Sequence, residues 1–119
     1  MTPLNDWDAC ARKMDECEKL RARLLALEER FRRRAERARD ERDIATMVRM
    51  RDAARVANEK KAAVAGMAGD LAADLTRAQA EATEASIAAL MARLDATVAA
   101  SLEIAAIYDA FVEWEAEPS

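Results

Sequence analysis

Side chains that commonly perform catalysis or bind metals are scarce in this sequence. It contains no histidine, which removes the usual general base near neutral pH and the commonest metal ligand. It also removes the Glu-x-x-His pattern of carboxylate-bridged di-iron bundles. Acidic residues are plentiful, but they fall on polar stretches where solvation is the simplest interpretation. We therefore predict that the chain is not an enzyme and has no metal site, no cofactor and no small-molecule substrate.

The two cysteines, Cys10 and Cys17, stand seven positions apart. In a helix they would share one face at about 10 Å along the axis, whereas a disulfide needs Cα atoms within about 7 Å. They are therefore predicted not to pair within one helix. We interpret both as small buried apolar residues. Cross-links between chains are an alternative, and a catalytic thiol is disfavoured because no partner base exists.

Arginines are dense between positions 30 and 42, which invites a nucleic-acid interpretation. On a helix, one face would carry Arg30, Arg33, Arg34 and Arg37. Acidic residues are interleaved with them, and the formal net charge of the chain is −4. A solvated or ion-paired surface is our first interpretation. Contact with nucleic acid or with an acidic protein remains the alternative for these four residues.

A group of large apolar side chains lies near the C-terminal end of the sequence. Its members are Ile104, Ile107, Tyr108, Phe111 and Trp114. Ordinary core is one interpretation, but aromatic anchors at a helix end also suit the groove of a partner protein. Neighbouring carboxylates argue against binding to anionic lipid. We therefore predict these five residues as a partner-binding group, and we predict no membrane contact.

The elements that would position these residues are long helices. The chain has only two glycines and two prolines, and it is rich in alanine, leucine, arginine and glutamate, which are strong helix formers. Aromatic residues make up 4%, and alanine buries little area, so the burial energy per residue is small. These features predict an all-α fold that is not a compact, self-sufficient monomer.

Apolar residues recur at steps of three and four along the first part of the chain, as expected for a coiled-coil-like helix. They are Trp7, Cys10, Met14, Cys17, Leu20, Leu24, Leu27 and Phe31. Gly66 and Gly69 suggest a helix end, after which Asp70 can cap the next helix. We predict one domain over 1–119, with helix one at about 6–65, a turn at about 66–70 and helix two at about 70–115. The alternative is one continuous helix through both glycines.

This long antiparallel hairpin leaves part of helix two uncovered. With the turn near residue 67, residues 90–104 face 31–45, a stretch that offers mainly arginine and small side chains. Residues 1–65 carry 17 basic and 13 acidic side chains, whereas residues 66–119 carry 2 and 10, so the two halves are predicted to attract each other. A second copy of the chain would cover the remaining apolar side, giving a four-helix bundle from two hairpins.

We therefore predict a non-catalytic helical interaction protein that acts as an assembly, adaptor or inhibitor subunit. Its predicted partners are a second copy of itself and an unidentified protein. The alternative is a nucleic-acid-associated protein that uses the arginine face of helix one. The acidic N-terminal stretch and the lack of 18 consecutive apolar residues predict a location in the cytoplasm or within an assembly such as a virion. The excess of arginine over lysine favours a bacterial or phage source.

Overall fold

The computed structural model describes the backbone of residues 3–116 and the side chains of residues 7–116. The chain forms three α-helices: α1 (Pro3–Asp40), α2 (Ile44–Glu81) and α3 (Glu84–Ala116). No β-strand occurs within these residues, and the predicted all-α class is confirmed. The molecule measures 61 × 21 × 16 Å along its principal axes, so it is an elongated bundle.

The three helices run up, down and up. Very short connections join consecutive helices, which makes α2 antiparallel to both of its neighbours and α1 parallel to α3. The contact between α1 and α2 is the most extensive, and α3 lies along one side of this pair.

Three groups of buried side chains follow one another along the bundle. The group nearest the start of α1 consists of Cys10, Leu71, Ala78, Leu90 and Leu94. The middle group consists of Cys17, Leu20, Leu24, Val64 and Ile104. The group nearest the first turn consists of Leu27, Phe31, Ala35, Met50, Ala53 and Ala54. The apolar positions predicted along the first helix thus supply buried side chains to all three groups, and Trp7 and Met14 pack against the first.

The predicted turn at 66–70 is wrong. Gly66 and Gly69 lie inside α2, at exposed positions where an added Cβ would meet nothing within 4 Å. Helix one does not continue to residue 65 either, because α1 ends at Asp40. The chain is therefore three helices joined by two turns, and the alternative of a continuous helix through the glycines holds locally.

The first turn is a helix C-cap built without glycine. Arg42 has a φ of 62°, a left-handed conformation that costs an L-residue about 1–2 kcal/mol. Two hydrogen bonds offset that cost: the amide of Asp43 donates to the carbonyl of Ala38 at 2.8 Å, and the amide of Arg42 donates to Arg39 at 3.1 Å. This is the Schellman pattern.

Asp43 also begins α2. Its Oδ1 accepts from the Thr46 amide at 3.2 Å, which is the role of an N-cap residue. Hydrogen bonds from the Thr46 side chain and from the Thr46 amide hold the pKa of Asp43 below its usual range. The stabilisation is therefore present at neutral pH and is lost as the pH falls through the folded-state pKa.

The second turn also joins a left-handed residue to a capping residue, but its hydrogen bonding is simpler: the amide of Ala82 donates to the carbonyl of Ala78 at 2.9 Å, the single bond of the αL motif. Ala82 is left-handed, with a φ of 51°, and Thr83 precedes α3 as its cap. The Ser86 amide donates to Thr83 Oγ1 at 3.0 Å, and the Thr83 amide donates to Ser86 Oγ at 3.1 Å. This reciprocal pair satisfies two amides that the helix leaves free.

The true turns change which residues face each other. Because α3 runs parallel to α1, Leu90 and Leu94 pack with Cys10 and Leu71, and Ile104 packs with Leu24. The predicted opposition of residues 90–104 to the arginine-rich stretch is therefore wrong. Between the oppositely charged halves, one ion pair forms within residues 7–116, Arg30 Nη2 to Glu115 Oε2 at 3.0 Å.

The two helical glycines generate the first prediction. Gly66→Ala and Gly69→Ala should each raise the free energy of unfolding by about 1 kcal/mol, because alanine loses less backbone entropy in a helix and has room for its Cβ. Ala82→Gly should also stabilise, because it relieves a left-handed alanine. Urea unfolding measures all three. Destabilisation by the glycine replacements would indicate a turn at 66–70.

Candidate functional site

The two thiols lie inside the bundle. Cys10 is 0% and Cys17 is 1% exposed, and neither forms a disulfide. Burial raises the pKa of the Cys17 thiol, an effect that the nearby Lys13 ammonium partly offsets. The neutral thiol is thus favoured, whereas nucleophilic cysteines need an accessible thiolate. Both side chains act as small core residues.

The one buried charged side chain in the described region has a structural explanation. Glu28 is 3% exposed, and its carboxylate contacts Lys61 Nζ at 2.9 Å and Arg32 Nη2 at 2.5 Å. A buried carboxylate is costly unless paired in this way. It ties α1 to α2 and offers no open position to a ligand. Over residues 7–116, no group of three or more cysteines and carboxylates is placed to hold a metal ion.

The predicted partner-binding group turns inward. Ile104 is 7% exposed, and Ile107 is half-buried. Tyr108, Phe111 and Trp114 are also half-buried, and all three pack on the core group around Phe31.

The aromatic rings at this end form one cluster. The Phe31 ring centroid lies 5.5 Å from that of Phe111, in an edge-to-face arrangement, and 5.7 Å from that of Trp114. The guanidinium of Arg49 lies 5.2 Å over the Trp114 ring. These contacts make the aromatic group part of the chain's own core, and they account for its apolar character without a partner. Its role in partner binding stays a prediction.

The arginines form two sets rather than one face. Arg30 pairs with Glu115. Arg33 and Arg37 are exposed and Arg34 is half-buried, and these three make no ion pair with any described residue. Arg34 and Arg37 line a small groove beside the first turn, together with Asp43 and Thr46.

The second set lines a groove of about 410 Å³ between α1 and α2, and sequence analysis of helix one alone missed its members on α2. Its arginines are Arg32, Arg39, Arg51 and Arg55. Carboxylates of the same chain neutralise much of the positive charge of this groove. Arg55 contacts Asp52 at 2.6 Å and Glu59 at 2.7 Å, and Arg32 contacts Glu28.

The outward side of α3 carries a pattern that sequence analysis did not single out. Eight exposed positions follow alternating steps of four and three: Ala85, Ala89, Ala92, Ala96, Ala99, Glu103, Ala106 and Ala110. We call these eight residues the alanine seam. Leu102 lies beside it and is 64% exposed, the highest value among the exposed large hydrophobic residues of the described region. The same spacing is visible in the sequence, but alanine is neither large enough nor polar enough to draw attention there.

α3 is also the helix that, by length and composition, could cross a membrane. It holds an 18-residue stretch of mean hydropathy 1.4, of which 28% is buried. This is weak evidence, because core helices of water-soluble proteins meet the same criterion. α1 and α2 both contact α3, and most of its apolar stretch is not buried by them. Most apolar helices of this kind are covered on all sides.

No family model, no curated protein and no solved structure matches this chain.

The buried thiol gives a prediction with a pH dependence. Alkylation of Cys17 by iodoacetamide at pH 8 should be roughly 100-fold slower in the folded protein than in urea, because reaction requires local opening. Since the folded-state pKa lies above the ordinary value of 9.0, the free energy of unfolding should fall as the pH rises past that value. Mass spectrometry of the alkylated peptide measures the rate. Equal rates in both states would place Cys17 at the surface.

The aromatic cluster gives a third prediction. Phe31→Ala should lower the free energy of unfolding by about 3–5 kcal/mol, because the ring is fully buried. Phe111→Ala should cost less, because its ring is only half-buried. The double variant should reveal a coupling of about 0.5–1.5 kcal/mol between the rings. Urea unfolding of the four proteins measures it. A Phe111→Ala protein of unchanged stability that has lost self-association would instead support the partner-binding assignment.

Proposed function

We propose that this chain is a non-catalytic helical interaction protein that acts as an assembly, adaptor or inhibitor subunit. Its contact surface is the outward side of α3, and its first partner is a second copy of itself. The proposed absence of catalysis follows from the missing histidine and from the burial of both thiols. The proposed location remains the cytoplasm or an assembly such as a virion.

The observation that carries this proposal is the uncovered side of α3. An 18-residue stretch of α3 with a mean hydropathy of 1.4 is only 28% buried, and the exposed positions of α3 as a whole include Leu102 and the seven alanines of the alanine seam. Covering apolar surface of this extent with another apolar surface removes both from water, which lowers the free energy. The proposed interface therefore uses a different set of α3 side chains from the five that the sequence predicted.

The spacing of the alanine seam indicates what kind of surface would cover it. Alternating steps of four and three keep a row of side chains facing a second helix, as in coiled coils. Small side chains along such a row let two helix backbones approach closely. The eight positions span 26 residues, or about 39 Å of helix. A contact of this size between small side chains suits reversible association, with a Kd on the order of 1–100 μM.

Nucleic-acid binding stays the second candidate. Arg33, Arg34 and Arg37 make no ion pair with a described residue, which favours it. It ranks lower because Arg30 and the arginines of the α1–α2 groove contact carboxylates of the chain, and because the net charge is −4. Absence of binding to a labelled oligonucleotide at low salt would eliminate this candidate.

The proposed interface generates a prediction with a matched control. Ala99→Arg places a long charged side chain in the middle of the alanine seam and should abolish self-association at 10–100 μM, with helicity unchanged. Ala73→Arg makes the same change at an exposed position of α2 and should have no effect. Sedimentation velocity measures both. A wild-type protein that stays monomeric at about 100 μM, or an Ala99→Arg protein that associates normally, would contradict the proposal.

A further inference from the structure

We infer that two copies of this chain pair through their alanine seams in an antiparallel arrangement that Arg93 and Glu103 select. The inference rests on the proposed function, because it assigns the partner and the orientation of the same surface. It depends on the position of Glu103, the single charged member of the alanine seam, and on the position of Arg93.

In only one antiparallel register does each of the eight seam positions of one copy lie opposite a seam position of the other. A two-fold axis midway between Ala96 and Ala99 brings Ala96 of one copy opposite Ala99 of the other. The same axis places Glu103 of one copy opposite Ala92 of the other, and every remaining seam residue opposite an alanine. Both copies then use the same surface, which gives a closed dimer rather than an open chain of subunits.

This register brings opposite charges together. Arg93 follows Ala92 directly, so the guanidinium of one copy lies beside Glu103 of the other, and symmetry creates this pair twice. Within its own chain, Arg93 Nε contacts Asp74 Oδ2 at 2.9 Å, and its side chain is 45% exposed. Arg93 Nη1 also lies 3.9 Å from Asp70 Oδ2. A guanidinium has five N–H donors, so Arg93 can keep both carboxylates of its own chain and still donate to Glu103 of the other copy.

The parallel arrangement is disfavoured by the same residue. With two α3 helices parallel and in register, Glu103 would face Glu103 in the seam, and like charges at a close contact are repulsive. Glu103 therefore discriminates between orientations, in the way that a single polar residue in a coiled-coil seam does. Leu102, beside Glu103, gains cover from the second copy in the antiparallel pair.

Charge reversal in two separately purified chains tests this inference. Glu103→Arg and Arg93→Glu should each weaken self-association by roughly tenfold, because each places like charges together. A 1:1 mixture of the two should restore wild-type affinity, since one site keeps the original pair and the other holds the reversed pair. Sedimentation equilibrium measures the three samples. Glu81→Arg, at an exposed position in the last turn of α2, is the matched control and should associate like the wild type.

Circular dichroism first checks that each variant is folded, because Arg93→Glu faces Asp74. If Arg93→Glu is not folded, Arg93→Gln takes its place in the mixture with Glu103→Arg. Arg93→Gln alone should weaken self-association less than Arg93→Glu. If mixing Glu103→Arg with the wild-type chain restores association, and the Arg93 variants associate like the wild type, the pair is parallel and the inference is overturned. So would normal association of Glu103→Arg, while loss of association in Ala99→Arg would leave the proposed function standing. A wild-type monomer that partitions onto phosphatidylcholine vesicles would overturn both and assign this side of α3 to a membrane.

Discussion

The burial of one row of apolar side chains on α1 governs the rest of this structure. Cys10, Cys17, Leu24, Leu27 and Phe31 are at most 1% exposed, although α1 as a whole is the most charged part of the chain. α2 offers mostly alanines to this row near the first turn, so the two backbones can approach but cannot fill the space alone. α3 supplies the missing volume with Leu90, Leu94, Ile104 and the aromatic cluster. Three helices are therefore the smallest number that closes this core.

The sequence predicted the helical core positions of α1 correctly and the positions of the turns incorrectly. Steps of three and four along α1 were reliable, because apolar burial dominates there. The turns were not, because the sequence analysis placed the chain reversal at the only glycines, and those lie in a helix. At the two turns of the structure, Arg42 and Ala82 adopt left-handed conformations, which neither residue type predicts. The capping residues Asp43 and Thr83 were the available signals, and both are common residue types elsewhere on polar surfaces.

One misplaced turn also misdirected the prediction of the interaction site. A hairpin register opposed residues 90–104 to arginines, which made the aromatic residues of the last turns look uncovered. In the three-helix register they meet Phe31. The apolar excess of the second half of the chain was identified correctly, but the side of α3 that carries it depends on the packing of three helices. From periodicity alone, Leu102 and Leu94 would be expected to share one apolar face of the helix. In the structure, Leu94 is 8% and Leu102 is 64% exposed.

The two tryptophans are placed at opposite ends of the 61 Å bundle. Trp7 packs against the group that contains Cys10 and Leu90, while Trp114 packs against the group that contains Phe31 and Met50. Their fluorescence therefore reports on two separate regions of one core. A bundle only three helices wide transmits order between its ends through a thin column of side chains, so the two ends can open independently. A chain retaining either indole alone would distinguish fraying at one end from cooperative unfolding of the whole molecule.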